Sequence, residues 1–316
     1  MKIEELRIIF EEIGGKKRFD EPMRNYTSFR IGGTADLLIF PENTEDLKKI
    51  LYLCSEKEIP VFILGFGTNL LVKDGGIRGV VINLNKGFRD MRLDEKIHQT
   101  PNSIRRTVIA GGGAGLQKLV GFALKNKLSG MEFAAGIPGS IGGALIMNAG
   151  AKDGEIKDVV KGVKIITANG ETKTIQKKDI GFSYRHSEFP ANSIILEASI
   201  LLKNGKGKDI KKKMELLVKD RKSKQPLSSY SAGSVFKNPS GDFAARLIES
   251  AGLKGFEAGD AIVSHKHANF IVNRGRATAG DVMKLIEIVK EKVFVRTGVL
   301  LEEEIRIVGE DYKIVN

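Results

Sequence analysis

"AAGIPGSIGGALIMNAGA", residues 134–151, decides how the rest of the chain is read. It is rich in glycine and holds no lysine, arginine or acid. Glycine lets main-chain N–H groups converge on an anion, and each hydrogen bond to a charged oxygen contributes about 1.5–3 kcal/mol. A neutral loop of this kind suits a pyrophosphate gripped by amides alone, the habit of a cofactor that stays bound. The same composition also suits tight turns and close packing. Two further stretches pose the same choice, Gly65-Phe66-Gly67-Thr68-Asn69 and Gly111-Gly112-Gly113-Ala114-Gly115. None of the three is a Gly-x4-Gly-Lys-Ser/Thr loop. None is Gly-x-Gly-x-x-Gly either, since the first reads Gly-x-Gly-x-x-Leu.

The surroundings alternate between helix and strand patterns. Residues 1–20 read as an amphipathic helix. Asn43 is a candidate N-cap for 43–60, where Leu47, Ile50, Leu51 and Cys54 fall at helical spacing before Pro60. Strands are expected at 61–65 and 79–84. A strand, glycine turn and helix follow over 105–127, with Leu116, Leu119, Val120 and Leu124 as the apolar stripe. Asn169-Gly170 between two alternating runs predicts a hairpin, and 193–202 a further strand. A lysine-rich run from 203 leads into a helix ending near Gln225-Pro226. Beyond it the pattern gives helix 242–251, strands near 261–263 and 269–273, helix 278–293 and a last strand over 299–309. The fold class is α+β, with a boundary near 203–210 and a subdivision near residue 90.

The chain has 316 residues, 41% hydrophobic and 28% charged, with a net charge of +12. No apolar run is long enough to span a membrane. A single cysteine, Cys54, precludes an intramolecular disulfide and fits a reducing, cytoplasmic setting. Clustered Lys and Arg would suit nucleic acid. Here the basic residues are mostly interleaved with acids, Trp is absent and aromatics make up 7%, so no base-stacking platform is advertised. A solvated charged surface accounts for most of the lysines, and an anionic small substrate would also draw positive potential to its cleft.

Longer motifs add a resemblance. "TSFRIGGTADLLIFP" (27–41), "LGFGTNLLVKDGGIRGVVINL" (64–84), "GMEFAAGIPGSIGGALIMNAGA" (130–151) and "GFSYRHSEFP" (181–190) resemble the UDP-N-acetylenolpyruvoylglucosamine reductase family. The likeness continues through "RKSKQPLSSYSAGSVFKNP" (221–239), "ARLIESAGLKG" (245–255), "AIVSHKHANFIVN" (261–273) and "LLEEEIRIVG" (300–309). It covers nearly the whole chain in order, and the tail is similar to the shorter form lacking a tyrosine-bearing insertion.

After the helix over 1–20, the resemblance implies an FAD-binding domain of the vanillyl-alcohol-oxidase (PCMH) type over 21–205 and a smaller α/β substrate domain over 206–316. It implies non-covalent FAD lined by Gly136, Ile137, Pro138, Gly139, Ser140, Ile141, Gly142 and Gly143. Gly65, Gly67, Thr68, Asn69 and Leu70 would form the other wall. Thr68 stands where serine is common in the family, and Phe66 is bulky within the first turn. The implied reaction takes hydride from NADPH to FAD and then to C3 of UDP-N-acetylglucosamine enolpyruvate, after which C2 must receive a proton. The product is UDP-N-acetylmuramate for peptidoglycan.

Three residues carry over as catalytic. Arg185 offers a planar fork to a carboxylate, Ser234 is the proton donor to C2, and Glu304 stabilises the intermediate. Without the resemblance each reads blandly, as a surface arginine, a turn serine and the wet face of a strand. Lys224 and Asn238 match substrate-contacting positions, and Lys266, His267 and Asn269 are expected to line the same cleft. A metal at His265 and His267 lacks a third ligand. The partners implied are small molecules, with no nucleic acid or membrane and a monomer expected. Two rivals are an oxidase of the same fold with covalent FAD, and a non-catalytic basic nucleic-acid-binding protein. The four histidines (98, 186, 265 and 267) and Cys54 lie outside the FAD motifs, except His186 beside Arg185.

Overall fold

The computed structural model describes residues 3–100, 103–151 and 153–311. The expected helix over 1–20 is cut short, and its first two residues lie outside the described ones. Helix α1 covers Ile3–Ile9, and a strand runs over Lys16–Pro22. Gly14-Gly15 makes the break. Gly15 has φ +91°, and a Cβ there would sit 2.1 Å from the Phe40 carbonyl. Lys17 Nζ then donates to the carbonyls of Phe10, Glu11 and Ile13, closing the end of the helical segment.

The chain forms two compact units. One contains Met1–Arg18, Leu38–Phe66 and Val80–Arg221; the other contains Phe19–Leu37, Gly67–Gly79 and Lys222–Asn316. A four-stranded sheet has the order Lys16–Pro22, Thr34–Phe40, Ile77–Asn83, Val61–Leu64. Helix α2 (Thr44–Glu56) follows the second, started by Asn43, whose side chain accepts from Asp46 N–H at 2.9 Å. Its buried face is Leu47, Ile50, Leu51 and Cys54, as the spacing predicts. Burial pushes the Cys54 thiol up to about 12.

The first unit's larger sheet is six-stranded and antiparallel. Its main path runs Thr172–Gln176, Val160–Ile166, Ile194–Asn204, Ser103–Gly111, Met91–Thr100. The hairpin expected at Asn169-Gly170 joins the first two of these strands, with Gly170 at φ +81°. Helix α3 (Leu116–Lys125) buries Leu116, Leu119, Val120 and Ala123 in a core that includes Val108, Val163 and Ile200. Each such leucine, isoleucine or valine side chain, fully buried, contributes about 1.5–3 kcal/mol. Helices α4 (Ile141–Ile146) and α5 (Ile156–Val159) are short, and α6 (Gly207–Lys224) carries the lysine-rich run. The expected boundary at 205/206 precedes α6, whose residues through Arg221 belong to the first unit.

In the second unit, α7 (Ala244–Ser250) and α8 (Ala279–Thr297) share a core with a three-stranded sheet, Glu257–Ala258, Ala261–Val263 and Ile271–Asn273. Helix α8 begins at a capping box of Thr278 and Asp281 and ends at left-handed Gly298. Asp74 accepts from the N–H groups of Ala279 and Gly280 at its start. The last strand is shorter than the expected 299–309, covering only Arg306–Val308, which pairs parallel with Leu70–Val72. The segment before it changes partner. Lys237 N–H donates to Glu302 and Glu304 N–H to Val235, whereas Arg306 N–H donates to Asn69, so no single ladder runs its length.

Candidate active site

The three glycine stretches turn out to be of two kinds. Gly111, Gly112 and Gly113 are a packing device: a Cβ on each would lie 2.4, 2.1 and 2.1 Å from the carbonyls of Phe88, Ile195 and Leu84. Their N–H groups donate to Asp90, Leu196 and Phe88, so these three are already taken up by main-chain carbonyls. It serves as a rail for the opening stretch instead. Gly142 N–H donates to Gly112, Ile141 N–H to Ala114, and Leu116 N–H to Gly139.

Residues 134–143 are shaped by two side chains. Gln117 of α3 accepts from Gly136 N–H and donates to the carbonyls of Ala134 and Ile137. Ser140 caps α4, accepting from Gly143 N–H at 3.1 Å. Gly136 (φ +78°) and Gly139 (φ +134°) adopt backbone that favours glycine. Gly65 lies against this loop so closely that a Cβ would stand 2.6 Å from Ser140 Oγ. The two glycine stretches named by the sequence thus meet in the first unit. Among the described residues, none accepts from the N–H groups of Phe66 or Gly139.

Arg185 occupies the tip of a two-residue turn between Gly181–Ser183 and His186–Glu188. Its φ is +56°, a conformation that costs a side-chain-bearing residue about 1–3 kcal/mol. Its guanidinium stacks 5.1 Å from the Tyr184 ring centroid and donates from Nη1 to Gly150 O at 3.4 Å. A second arginine, which the sequence reading missed, stands near it. Burial, followed by the like charge of Arg185, pulls the Arg221 pKa down. A Cβ on Gly136 would be 3.3 Å from Arg221 Cδ. Helical spacing carried the signal: Ile210, Met214 and Val218 of α6 turn toward the core, and Arg221 is one turn further on. Two guanidinium groups beside a glycine-lined loop favour an anion, and the residues fit a cofactor that brings a pyrophosphate.

The second unit holds the remaining residues. Gly67 has φ +64° and no room for a Cβ, which would lie 2.0 Å from Tyr26 O. Thr68 is half-buried, and Leu70 opens the strand paired with Arg306. Asn69 donates from Nδ2 to the Glu304 carbonyl at 3.0 Å, fastening the 67–70 turn to the acid's own main chain. Ser234 follows Gly233 (φ +81°) and bridges Phe270. Next to it, Val235 O accepts from Glu304 N–H at 2.7 Å, so Ser234 and Glu304 are braced by one main-chain link. Glu303 points elsewhere, its carboxylate held by Lys290 of α8 at 2.9 Å.

Of the substrate-side residues, Asn269 is the most deeply buried. It is 3% exposed, and its amide is taken up by Phe236, accepting from the N–H at 2.9 Å and donating to the C=O at 2.8 Å. It is a brace for the Ser234 segment. His267 is half-buried against Phe270 at 4.9 Å between ring centroids, and burial followed by the charge of Lys254 lowers its pKa. Lys224 is exposed at the end of α6; Lys266 is exposed and donates to Lys222 O; Asn238 accepts from Ala244 N–H. Among the described residues, no group of three or more His, Cys, Asp or Glu is placed to hold a metal. Among the described residues, no helix is long and apolar enough to cross a membrane.

Comparison with known proteins narrows the assignment. Residues 35–176 match the family described as FAD binding domain. Together with the glycine cradle this defines the class, an FAD-dependent oxidoreductase. Residues 225–308 match the family described as UDP-N-acetylenolpyruvoylglucosamine reductase, C-terminal domain. The reductase of that name from Clostridium novyi (strain NT) is 47% identical over 290 residues, 92% of this chain and 91% of that protein. The one from Clostridioides difficile (strain 630) is 45% identical, covering 93% and 94%. The crystal structure of UDP-N-acetylenolpyruvylglucosamine reductase (MurB) from Thermus caldophilus superposes with a TM-score of 0.78 at 35% identity, covering 93% of this chain and 98% of that one. The chain belongs to the UDP-N-acetylenolpyruvoylglucosamine reductase family.

Proposed function

We propose that the chain reduces UDP-N-acetylglucosamine enolpyruvate to UDP-N-acetylmuramate, with NADPH as hydride donor, in peptidoglycan synthesis. The observation that carries this reading is the closure of Gly65 on Ser140 in a chain of this family, which joins the two glycine stretches into one cradle. FAD, when bound there, supplies the relay of hydride from NADPH to C3 of the enolpyruvyl group. The balance is one hydride to C3 and one proton to C2.

The chain's own residues meet the remaining demands. Gly65 and the 136–143 loop bind the cofactor non-covalently, continued by Gly67, Thr68, Asn69 and Leu70. Arg185 binds the substrate carboxylate as negative charge builds on it, a role its exposed turn and planar fork suit. Ser234 delivers the proton to C2. Glu304, fixed through Asn69 and Val235, orients the reacting group. Lys224, Asn238, Lys266 and His267 offer polar and cationic contacts to the nucleotide diphosphate. The reading assigns cofactor binding to 21–205 and substrate binding to 206–316, and places a monomer in the cytoplasm without nucleic-acid or membrane partners. The single, buried Cys54 supports the reducing compartment.

A visible absorbance series tests it. A flavin spectrum bleached by anaerobic NADPH and restored by the enolpyruvyl substrate is the expected result. A protein that takes up no FAD, or whose reduced flavin the substrate leaves unchanged, refutes it.

A further inference from the structure

The hairpin that presents Arg185 is too short to hold its own shape. Its strands are three residues each, and an isolated two-stranded hairpin is at best marginal in water. Its tip residue also sits in left-handed backbone at φ +56°. Two buried side chains fasten it from outside. Ser187, 6% exposed, directs Oγ to the carbonyls of Leu145 and Ile146 at 2.8 and 3.0 Å, both in the last turn of α4. Asn148, fully buried at φ +39°, donates from Nδ2 to Ser183 O at 3.0 Å and to Glu155 Oε2 at 2.9 Å. Its Oδ1 accepts from Lys157 N–H at 3.1 Å, so both ends of the amide are engaged. Ser183 is the residue from which the turn departs, and Ser187 follows the turn by one residue. The guanidinium itself reaches Gly150, two residues beyond Asn148.

We propose that Asn148 and Ser187 are positioning residues for Arg185. They clamp both legs of its hairpin to the C-terminal end of α4, Ser187 through the last turn and Asn148 from two residues beyond it, and the N-terminal turn of the same helix is the 140–143 part of the glycine cradle. The arginine is thereby held in register with the cradle through one short helix and not through the hairpin's own strands. This rests on the reading of Arg185 as the carboxylate clamp. A misplaced clamp weakens only the step in which charge develops, so the loss falls on flavin reoxidation by substrate.

The test compares Ser187→Ala, Asn148→Asp, Arg185→Ala and the Ser187→Ala/Arg185→Ala pair in stopped flow, with FAD content and circular dichroism as folding checks. Asn148→Asp keeps the shape but turns a carboxylate toward Ser183 O and Glu155. Expected is a reoxidation rate constant lowered about 10–10²-fold in each of the first two, with flavin reduction by NADPH changed less than about twofold. In the Arg185→Ala background, Ser187→Ala should add nothing, because residues acting as a unit are not additive. Ser187→Ala carries the test alone if Asn148→Asp does not fold. Slow reoxidation in Arg185→Ala with normal rates in Ser187→Ala overturns the positioning role and leaves the clamp standing. An undiminished Ser187→Ala effect in the paired variant also overturns it. Normal reoxidation in Arg185→Ala removes the clamp reading and this inference with it.

Discussion

Gly65→Ala on its own and in a Ser140→Ala background should have opposite effects on stability. The added Cβ would stand 2.6 Å from Ser140 Oγ, while the next atom, Ser140 Cβ, is 3.7 Å away, an ordinary contact. The whole conflict therefore lies in one oxygen, and that oxygen is the N-cap of α4, accepting from Gly143 N–H. Displacing it costs about 1 kcal/mol, within a range of roughly 0.5–2. Gly65 is not in left-handed backbone, so alanine there restricts the unfolded chain and returns about 0.4–1 kcal/mol. In the wild-type background the two terms leave, at mid-range values, a net loss of about 0.3 kcal/mol. In Ser140→Ala the cap and the clash are already gone, and only the gain of about 0.4–1 kcal/mol remains. Urea unfolding of the FAD-free proteins reads the change of sign, and the FAD dissociation constant from flavin fluorescence should follow it. Equal effects in the two backgrounds, within about 0.3–0.5 kcal/mol, would refute the claim that the stretches meet at Ser140.

The neighbouring acids should separate cleanly. Glu304→Gln is expected to slow turnover about 10²-fold, whereas Glu303→Gln should keep turnover and lose at most about 1 kcal/mol of stability with its partly exposed Lys290 pair; steady-state rates and urea midpoints check both. Asn269→Ala strips partners from a buried N–H and a buried C=O of Phe236, and should cost about 2–5 kcal/mol by urea unfolding. His267 prefers to be neutral in the fold, its pKa lying below the ordinary 6.5. The unfolded chain then binds more protons, so the stability contributed above pH 6.5 is lost as pH falls through the folded value. The drop in urea midpoint on acidification should be smaller in His267→Gln than in wild type.

Local chemistry was the legible part. Asn43 and the four apolar residues of α2 act within a few residues of each other, so spacing was enough to place that helix and its buried face. The Asn169-Gly170 turn was equally local. Less could be read where an element's partner is distant in sequence. "LLEEEIRIVG" alternates like one strand, yet its first half answers to Val235 and Lys237 and its second to Asn69. Gly111–Gly113 and the 134–143 loop have like compositions, and only their neighbours separate a packing turn from a cradle. The bracing of Phe236 by Asn269 was equally hidden, because a polar residue in "HKHANF" gives no sign of a partner 33 residues away. Arg221 was hidden in a lysine-rich run whose surface character masked the one face that turns inward.

The second unit's interlaced segments also have a consequence for how the chain is made. On the ribosome, Leu70–Val72 emerges long before Arg306–Val308, the strand it pairs with. At ordinary elongation rates the wait is on the order of tens of seconds. Leu71 and Val72, both fully buried in the finished fold, remain without that strand for the whole interval, during which the last and longest segment of the first unit, Val80–Arg221, is synthesised. Vectorial synthesis thus lets the first unit mature on the nascent chain, whereas the second must close late and over a long loop. Its early segments are the ones a chaperone would have reason to cover.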